Sequence, residues 1–219
     1  MSLGSVRIGC VPIVWNNVDV PDLAPQAPFD EILDTFARLG YEGTQFGRGF
    51  PEGDELRREL ASRGLRFAEL YSALPADADG LRPDAAGIAR RDLERLCAAG
   101  GDVLVVALDG TDACEAVAGR LADDPPRWPE RAFAELASLL AGLVEAAPDG
   151  VRVAFHPHTA TWIESPAEVE ALCSLLPATG AGLCLDVGHY LVGGGDPVAA
   201  IRRHGSLVTH VHAKDVDPA

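Results

Sequence analysis

Lysine is almost absent from this sequence. Lys214 is the only one, and arginine supplies the rest of the 18 basic side chains, which stand against 33 Asp and Glu for a net charge of −15. So acidic a surface repels phosphate backbones and no basic stripe offsets it, so nucleic acid is not an expected partner. Long apolar runs are missing too. None approaches the roughly 18 residues that a membrane span needs, so no membrane partner is expected. The opening MSLGSVRIG lacks the apolar core of a signal peptide, which makes the cytoplasm the expected compartment. No C-x-x-C pair joins the scattered cysteines Cys10, Cys97, Cys114, Cys173 and Cys184, so buried reduced thiols are expected rather than disulfides or zinc ligation. There is no low-complexity tract, internal repeat or linker, and residues 1–219 read as one domain.

What is present is alternation. Apolar, β-branched runs predict strands at 6–13, 41–46, 65–71, 102–108, 151–156, 182–186 and 207–212, with helices at 29–39, 52–63, 84–99, 128–147, 166–176 and 196–204 between them. Gly40, Gly64 and Gly100 are placed to end helices, and Ser165, Pro166 and Glu168 form an N-terminal capping signature. The stretches 16–28 and 109–130 read as loops, the second long enough for a short helix or a lid.

Successive βαβ units predict a parallel sheet, either open and doubly wound or closed as a barrel. No G-x-G-x-x-G follows the first strand, as a dinucleotide-binding open sheet would require. Polar residues instead follow many different strands, as at the C-terminal rim of a (β/α)8 TIM barrel, which is the fold expected here. Only seven strands are visible, so an eighth is expected to be missing from this sequence, through truncation or a genuinely incomplete barrel, and the domain is expected to be C-terminally incomplete. An open seam would leave unpaired edge groups and favour a homo-oligomer.

Five of the six histidines fall in three short stretches. VAFHPHTATWIES (153–165) puts His156 and His158 two apart at a strand end, so that in an extended chain both rings face one way. LCLDVGHY ends a strand in Asp186 and His189, and LVTHVHAKD ends another in His210, His212, Lys214 and Asp215. Taken singly, each is compatible with a packed histidine, a capping aspartate or a salt-bridged edge. Taken together, they lie at the ends of three successive parallel strands, where a barrel brings side chains to one axis. Mixed imidazole and carboxylate donors suit Mn2+, Co2+ or Zn2+, whereas Mg2+ alone prefers more oxygens. The absence of cysteine from the set argues against a structural zinc site.

These residues resemble the xylose isomerase-like TIM barrel superfamily of sugar isomerases, epimerases and endonuclease-IV-type enzymes, and within it the inosose dehydratases. WNNVDVPDL (15–23) is similar to W-x-N-D-D-L-P-E-L at Trp15, Asn17, Asp19, Pro21 and Leu23. FHPHTAT (155–161) resembles Y-H-H-H-x-G-T at His156, His158 and Thr161. LDVGHYLVGGGDP (185–197) resembles L-D-T-G-H-x-x-x-x-G-G-D-P, and HVHAKDV (210–216) resembles H-V-H-x-K-D. The resemblance implies that Asp186 and His212 are ligands of a divalent metal, Mn2+ or Co2+ first and Zn2+ or Mg2+ as alternatives. His156 stands near the place of the usual fifth-strand glutamate and is expected to replace it, while the fourth ligand is normally an eighth-strand glutamate.

The implied reaction is proton abstraction next to a ketone, as in dehydration of 2-keto-myo-inositol, so the expected partner is a small polyhydroxylated keto compound. His158, His189 and Lys214 are the expected catalytic groups, and Trp15, Asn17, Gln45 and Asp215 the expected substrate contacts. Gln45, Val18 and Leu108 stand where carboxylates are usual, which predicts an altered substrate shell. Sugar isomerisation or epimerisation, and a sugar-binding barrel without turnover, are the alternatives. An endonuclease role conflicts with the acidity and with the small number of metal ligands.

Overall fold

The computed structural model describes residues 6–18, 20, 22–119 and 127–216, and the Asp19 and Pro21 matches lie outside them. The chain groups into two compact units, Met1–Tyr71 with Asp92–Leu104 and Ser72–Arg91 with Val105–Ala219.

In the first unit, strand β1 is only Gly9–Cys10, not the run 6–13 predicted, and a 3-10 turn follows at Pro12–Val14. Pro12 has no N–H to give a ladder, so the strand stops before it. Helix α1 (Phe29–Leu39) buries Ile32, Leu33 and Phe36, carries Asp30 and Glu31 in its first turn, and ends at Gly40 with φ 83°, a conformation glycine takes without penalty. Strand β2 (Gly43–Gln45), helix α2 (Gly53–Ser62) and strand β3 (Arg66–Leu74) follow, and β1, β2 and β3 pair in parallel.

Strand β3 runs on into the second unit. There β4 (Ala76–Asp77) and β5 (Gly80–Leu81) form a small antiparallel hairpin absent from the sequence expectation. Asp77 Oδ1 accepts from the Asp79 N–H at 2.9 Å, a local turn, and the Trp128 indole N–H anchors the Asp77 carbonyl at 2.8 Å. Helix α3 (Ala85–Ala98) leads to β6 (Val103–Leu108), buried at every position as befits a strand covered on both faces. A short helix α4 (Asp112–Glu115) occupies part of the expected loop 109–130, and residues 120–126 of that loop lie outside the described residues. Then come α5 (Glu130–Ala146), β7 (Arg152–Phe155), α6 (Pro166–Thr179), β8 (Gly182–Asp186), α7 (Val187–Val192), α8 (Pro197–His204) and β9 (Val208–His212).

The sheet order is β1-β2-β3-β6-β7-β8-β9, seven strands among the described residues, as the sequence predicts. The β3–β6 step is marked by Asp102 N–H to Phe67 O at 2.9 Å in the first unit and Asp109 N–H to Leu74 O at 2.8 Å in the second. In the second unit, Leu136, Leu140 and Leu143 of α5 and Val169, Leu172 and Leu176 of α6 are buried, and the two helices pack together. Helix α6 outruns its predicted end at 176 and includes Pro177. Its start is as predicted, with Glu168 Oε2 accepting the Ser165 N–H at 2.7 Å. All five cysteines are free, three of them buried. No helix among the described residues is long and apolar enough to cross a membrane.

Candidate metal centre

All of the predicted metal and catalytic residues lie in the second unit, on or just after β7, β8 and β9. In register, Asp186 pairs with His212 across β8 and β9, which sets their side chains next to each other. His156 follows β7 and donates its backbone N–H to Val106 O at 2.7 Å.

Asp186 is both the last residue of β8 and the N-cap of α7. Its Oδ1 accepts the His189 N–H at 2.9 Å, and that divides the work of the carboxylate. Oδ2 is left facing the site, with His156 Nε2 at 3.5 Å, His212 Nδ1 at 3.6 Å and His189 Nε2 at 4.0 Å. The Lys214 ammonium donates to the same oxygen at 2.5 Å and to His189 Nε2 at 2.7 Å. The D-x-G-H spacing is therefore a helix cap and a site at once. Gly188 belongs to this arrangement, since a Cβ there would sit 2.8 Å from Lys214 Cβ.

The ring tautomers follow from the partners. An ammonium only donates, so His189 Nε2 accepts, and its Nδ1 carries the proton given to Thr159 Oγ1 at 2.9 Å. His158 Nδ1 donates to the Thr159 carbonyl at 2.7 Å, so in the neutral ring Nε2 carries the lone pair. The His158 and His189 rings lie with centroids 3.7 Å apart, and those of His156 and His212 4.7 Å apart.

Burial holds His156 down to about 4 and His189 to about 3, the latter helped by neighbouring His158, so both rings are neutral near pH 7. Burial by itself would raise Asp186. Hydrogen bonds from His156, His212, Lys214 and the His189 backbone outweigh that and hold the carboxyl well below the usual range.

The loop that carries these rings is tied down by Glu164. Its Oε2 accepts the Ala160 N–H and its Oε1 the Gly119 N–H, both at 2.7 Å. Ala160 takes φ 64°, the left-handed region that glycine prefers. Neither Glu164 nor Thr159 was singled out from the sequence, because their roles depend on a loop whose path has no local pattern.

Cys184 was not singled out from the sequence, yet the structure places its thiol beside the histidines. It lies two residues before Asp186 on the same face of β8, and one ligand atom each of His156, Cys184 and His212 lies within 4.8 Å of the others. Period-two alternation could have found it.

The donor set fits a divalent ion. His156, Asp186 and His189 likewise offer ligand atoms within 4.8 Å of one another. Metal–ligand bonds of about 2.0–2.2 Å at tetrahedral angles put neighbouring ligand atoms roughly 3.3–3.6 Å apart, close to the His156 and His212 separations from Asp186 Oδ2. One buried carboxylate among neutral imidazoles is a borderline donor set of the kind first-row divalent ions take.

Asp215 is exposed. Trp15, Asn17 and Gln45 belong to the first unit. The Trp15 ring meets Phe36 edge-on at 5.2 Å, and Asn17 Oδ1 accepts the Val20 N–H at 2.7 Å. Gln45 ends β2 beside a register shift against β3. Asn16, not Asn17, is the buried asparagine, bridging Ala27 and Arg48 of the same unit.

Parallel strands alternating with helices, and titratable groups gathered at strand ends, define the class as a parallel α/β protein with its site on the C-terminal side of the sheet. The sequence profile of the xylose isomerase-like TIM barrel family matches residues 33–219, and the chain belongs to that family. It is 30% identical over 215 residues to the inosose dehydratase of Lacticaseibacillus casei, covering 97% of this chain and 72% of that protein. Among solved structures it resembles the probable 3-DHS dehydratase AsbF of Bacillus anthracis, with a TM-score of 0.71, 13% identity and coverage of 98% of this chain and 75% of that one. It also resembles the zinc-bound IOLI protein, with a TM-score of 0.65, 13% identity and coverage of 98% and 74%. These two structural likenesses establish the fold alone.

Proposed function

We propose that this chain is a divalent-metal-dependent lyase that removes a proton from the carbon next to a ketone on a polyhydroxylated ring, with dehydration of 2-keto-myo-inositol as its reaction. The observation that carries this reading is one carboxylate oxygen, Asp186 Oδ2, with His156 at 3.5 Å and His212 at 3.6 Å around it. The identity to an inosose dehydratase supplies the substrate class.

In this reading His156, Asp186 and His212 hold the ion, Mn2+ or Co2+ first, Zn2+ or Mg2+ as alternatives. Bound there, it supplies Lewis-acid stabilisation of negative charge developing on the substrate carbonyl oxygen. His158 is the base: with Nδ1 committed to the Thr159 carbonyl, Nε2 has the lone pair that takes the carbon-bound proton. The Lys214 ammonium gives a proton to the departing hydroxide, which leaves as water, and solvent carries a proton from His158 back to Lys214. His189 Nε2 accepts a hydrogen bond, from Lys214 at rest and from a substrate hydroxyl in the complex. Asp215, Trp15, Asn17 and Gln45 keep the substrate-contact role that the sequence resemblance gives them.

Ketose isomerisation or epimerisation starts with the same abstraction and differs in where the proton returns. The test is to incubate manganese- or cobalt-loaded protein with 2-keto-myo-inositol and with several ketoses in D2O. The proposal predicts an absorbing dione from the inosose. Deuterium uptake on a ketose without dione would transfer the assignment to an isomerase or epimerase. A metal-loaded protein that exchanges no proton on any of them would instead be a sugar-binding barrel without turnover.

A further inference from the structure

The Lys214 ammonium occupies the place where a cation would meet this donor set. It touches two acceptors of the cluster at once, Asp186 Oδ2 at 2.5 Å and the His189 Nε2 lone pair at 2.7 Å. That oxygen is also the one shared by His156 and His212. The Asp186 side chain is 0% exposed, so its charge must be matched locally, whereas Lys214 is 46% exposed and reaches in from the chain just after β9. A buried carboxylate without a partner is costly, and a tethered ammonium removes that cost at the expense of one flexible side chain. The approach is shaped for it: Gly188 leaves room for the lysine stem, where a Cβ would lie 2.8 Å from Lys214 Cβ and 3.3 Å from its Cδ.

We propose that Lys214 is an internal surrogate cation, which closes the Asp186–His189 face of the site in the metal-free protein and is expelled by the arriving divalent ion. The proposal rests on the metal reading above. Its physical content is competition. The ion cannot take Asp186 Oδ2 while Nζ holds it, so apparent metal affinity is lowered by the stability of the ammonium contact. A charge-assisted hydrogen bond to a carboxylate, discounted for the half-exposed lysine, makes that factor about tenfold. Expulsion leaves the ammonium beside the site and free to turn to a substrate, which joins its resting place to its proposed role as acid. The same competition sets a threshold, because an ion too weakly held by the imidazoles fails to displace the lysine.

Lys214 is the only lysine in the chain, so amine chemistry reports on it directly. Zinc chloride is titrated calorimetrically into chelator-stripped wild type and Lys214→Met; wild type, with and without zinc, and Asp186→Asn are then treated with isotopic formaldehyde and cyanoborohydride at fixed pH, with methylation of Lys214 and of the N-terminal amine resolved by peptide mass. The expected results are about tenfold tighter zinc binding by Lys214→Met, and several-fold faster methylation of wild-type Lys214 once zinc is bound, with the N-terminal amine unchanged. Asp186→Asn without zinc should methylate at the fast rate. Zinc binding to wild type with methylation of Lys214 unchanged or slowed overturns the surrogate role and leaves the metal reading intact. Absence of zinc binding to both wild type and Lys214→Met overturns the metal reading and the surrogate role together.

Discussion

Acidification should destabilise the metal-free protein through two rings in particular. His156 is held down to about 4 and His189 to about 3, from an ordinary value of 6.5. For a group whose folded value is depressed, its contribution is complete above the unfolded value and is lost as pH falls towards the folded one. The window is therefore from 6.5 down to about 4 for His156 and about 3 for His189. Near the middle of that window the unfolded chain carries almost one proton on each ring and the folded chain almost none. Each ring then contributes a slope of about 1.4 kcal/mol per pH unit, roughly 2.7 for the pair. Asp186 does not add to the slope between about pH 7 and 5, since its own contribution is lost only as pH falls through and below the usual carboxylate range. Equilibrium urea unfolding of chelator-treated protein at about pH 7, 6 and 5 reads the slope, and His189→Gln, which keeps an acceptor for Lys214, should flatten it by about 1.4 kcal/mol per pH unit. Parallel slopes for wild type and variant would refute the buried, neutral state assigned to His189.

Two backbone positions give further outcomes. Ala160→Gly should stabilise the chain by about 0.5–1 kcal/mol, because relief at φ 64° exceeds the entropy glycine adds to the unfolded chain; a lowered urea midpoint would contradict this. Gly193→Ala should destabilise by about 1–3 kcal/mol, since the new Cβ would meet the Glu164 carbonyl oxygen at 2.5 Å and displace the residue that holds Ala160 and Gly119; an unchanged melting temperature would show that this contact relaxes freely.

The site was legible where strand periodicity carries it. Alternation put His156 and His158 on one face at a strand end, while Asp186 and His212 entered as ligands through the family resemblance; the register sets that pair side by side, and D-x-G-H contains a residue that ends a strand and caps a helix. Cys184 obeys the same alternation and was passed over only because cysteine was read as core. The clasp by Glu164, the hydrogen bond from His189 to Thr159 and the seat of Lys214 on Asp186 depend on the course of loops and of a flexible side chain, which no local period encodes. In the fold, the buried strand β6 announced itself as an unbroken apolar run, whereas β1 read too long because its apolar residues Val6 and Ile8 are exposed at 61% and 63% and take no part in a strand. Helix α6 was read as ending at 176, but it continues to Thr179 through Pro177, which has no N–H to give the Cys173 carbonyl.

Metal binding to chelator-stripped protein tests the central claim most directly. Titration with Co2+, followed by calorimetry and by metal analysis after desalting, should give about one equivalent per wild-type chain, with affinity reduced at least about tenfold in both Asp186→Asn and His212→Gln. Wild-type protein that takes up no ion, or binding that both substitutions leave unchanged, would contradict the assignment of His156, Asp186 and His212 as a metal centre.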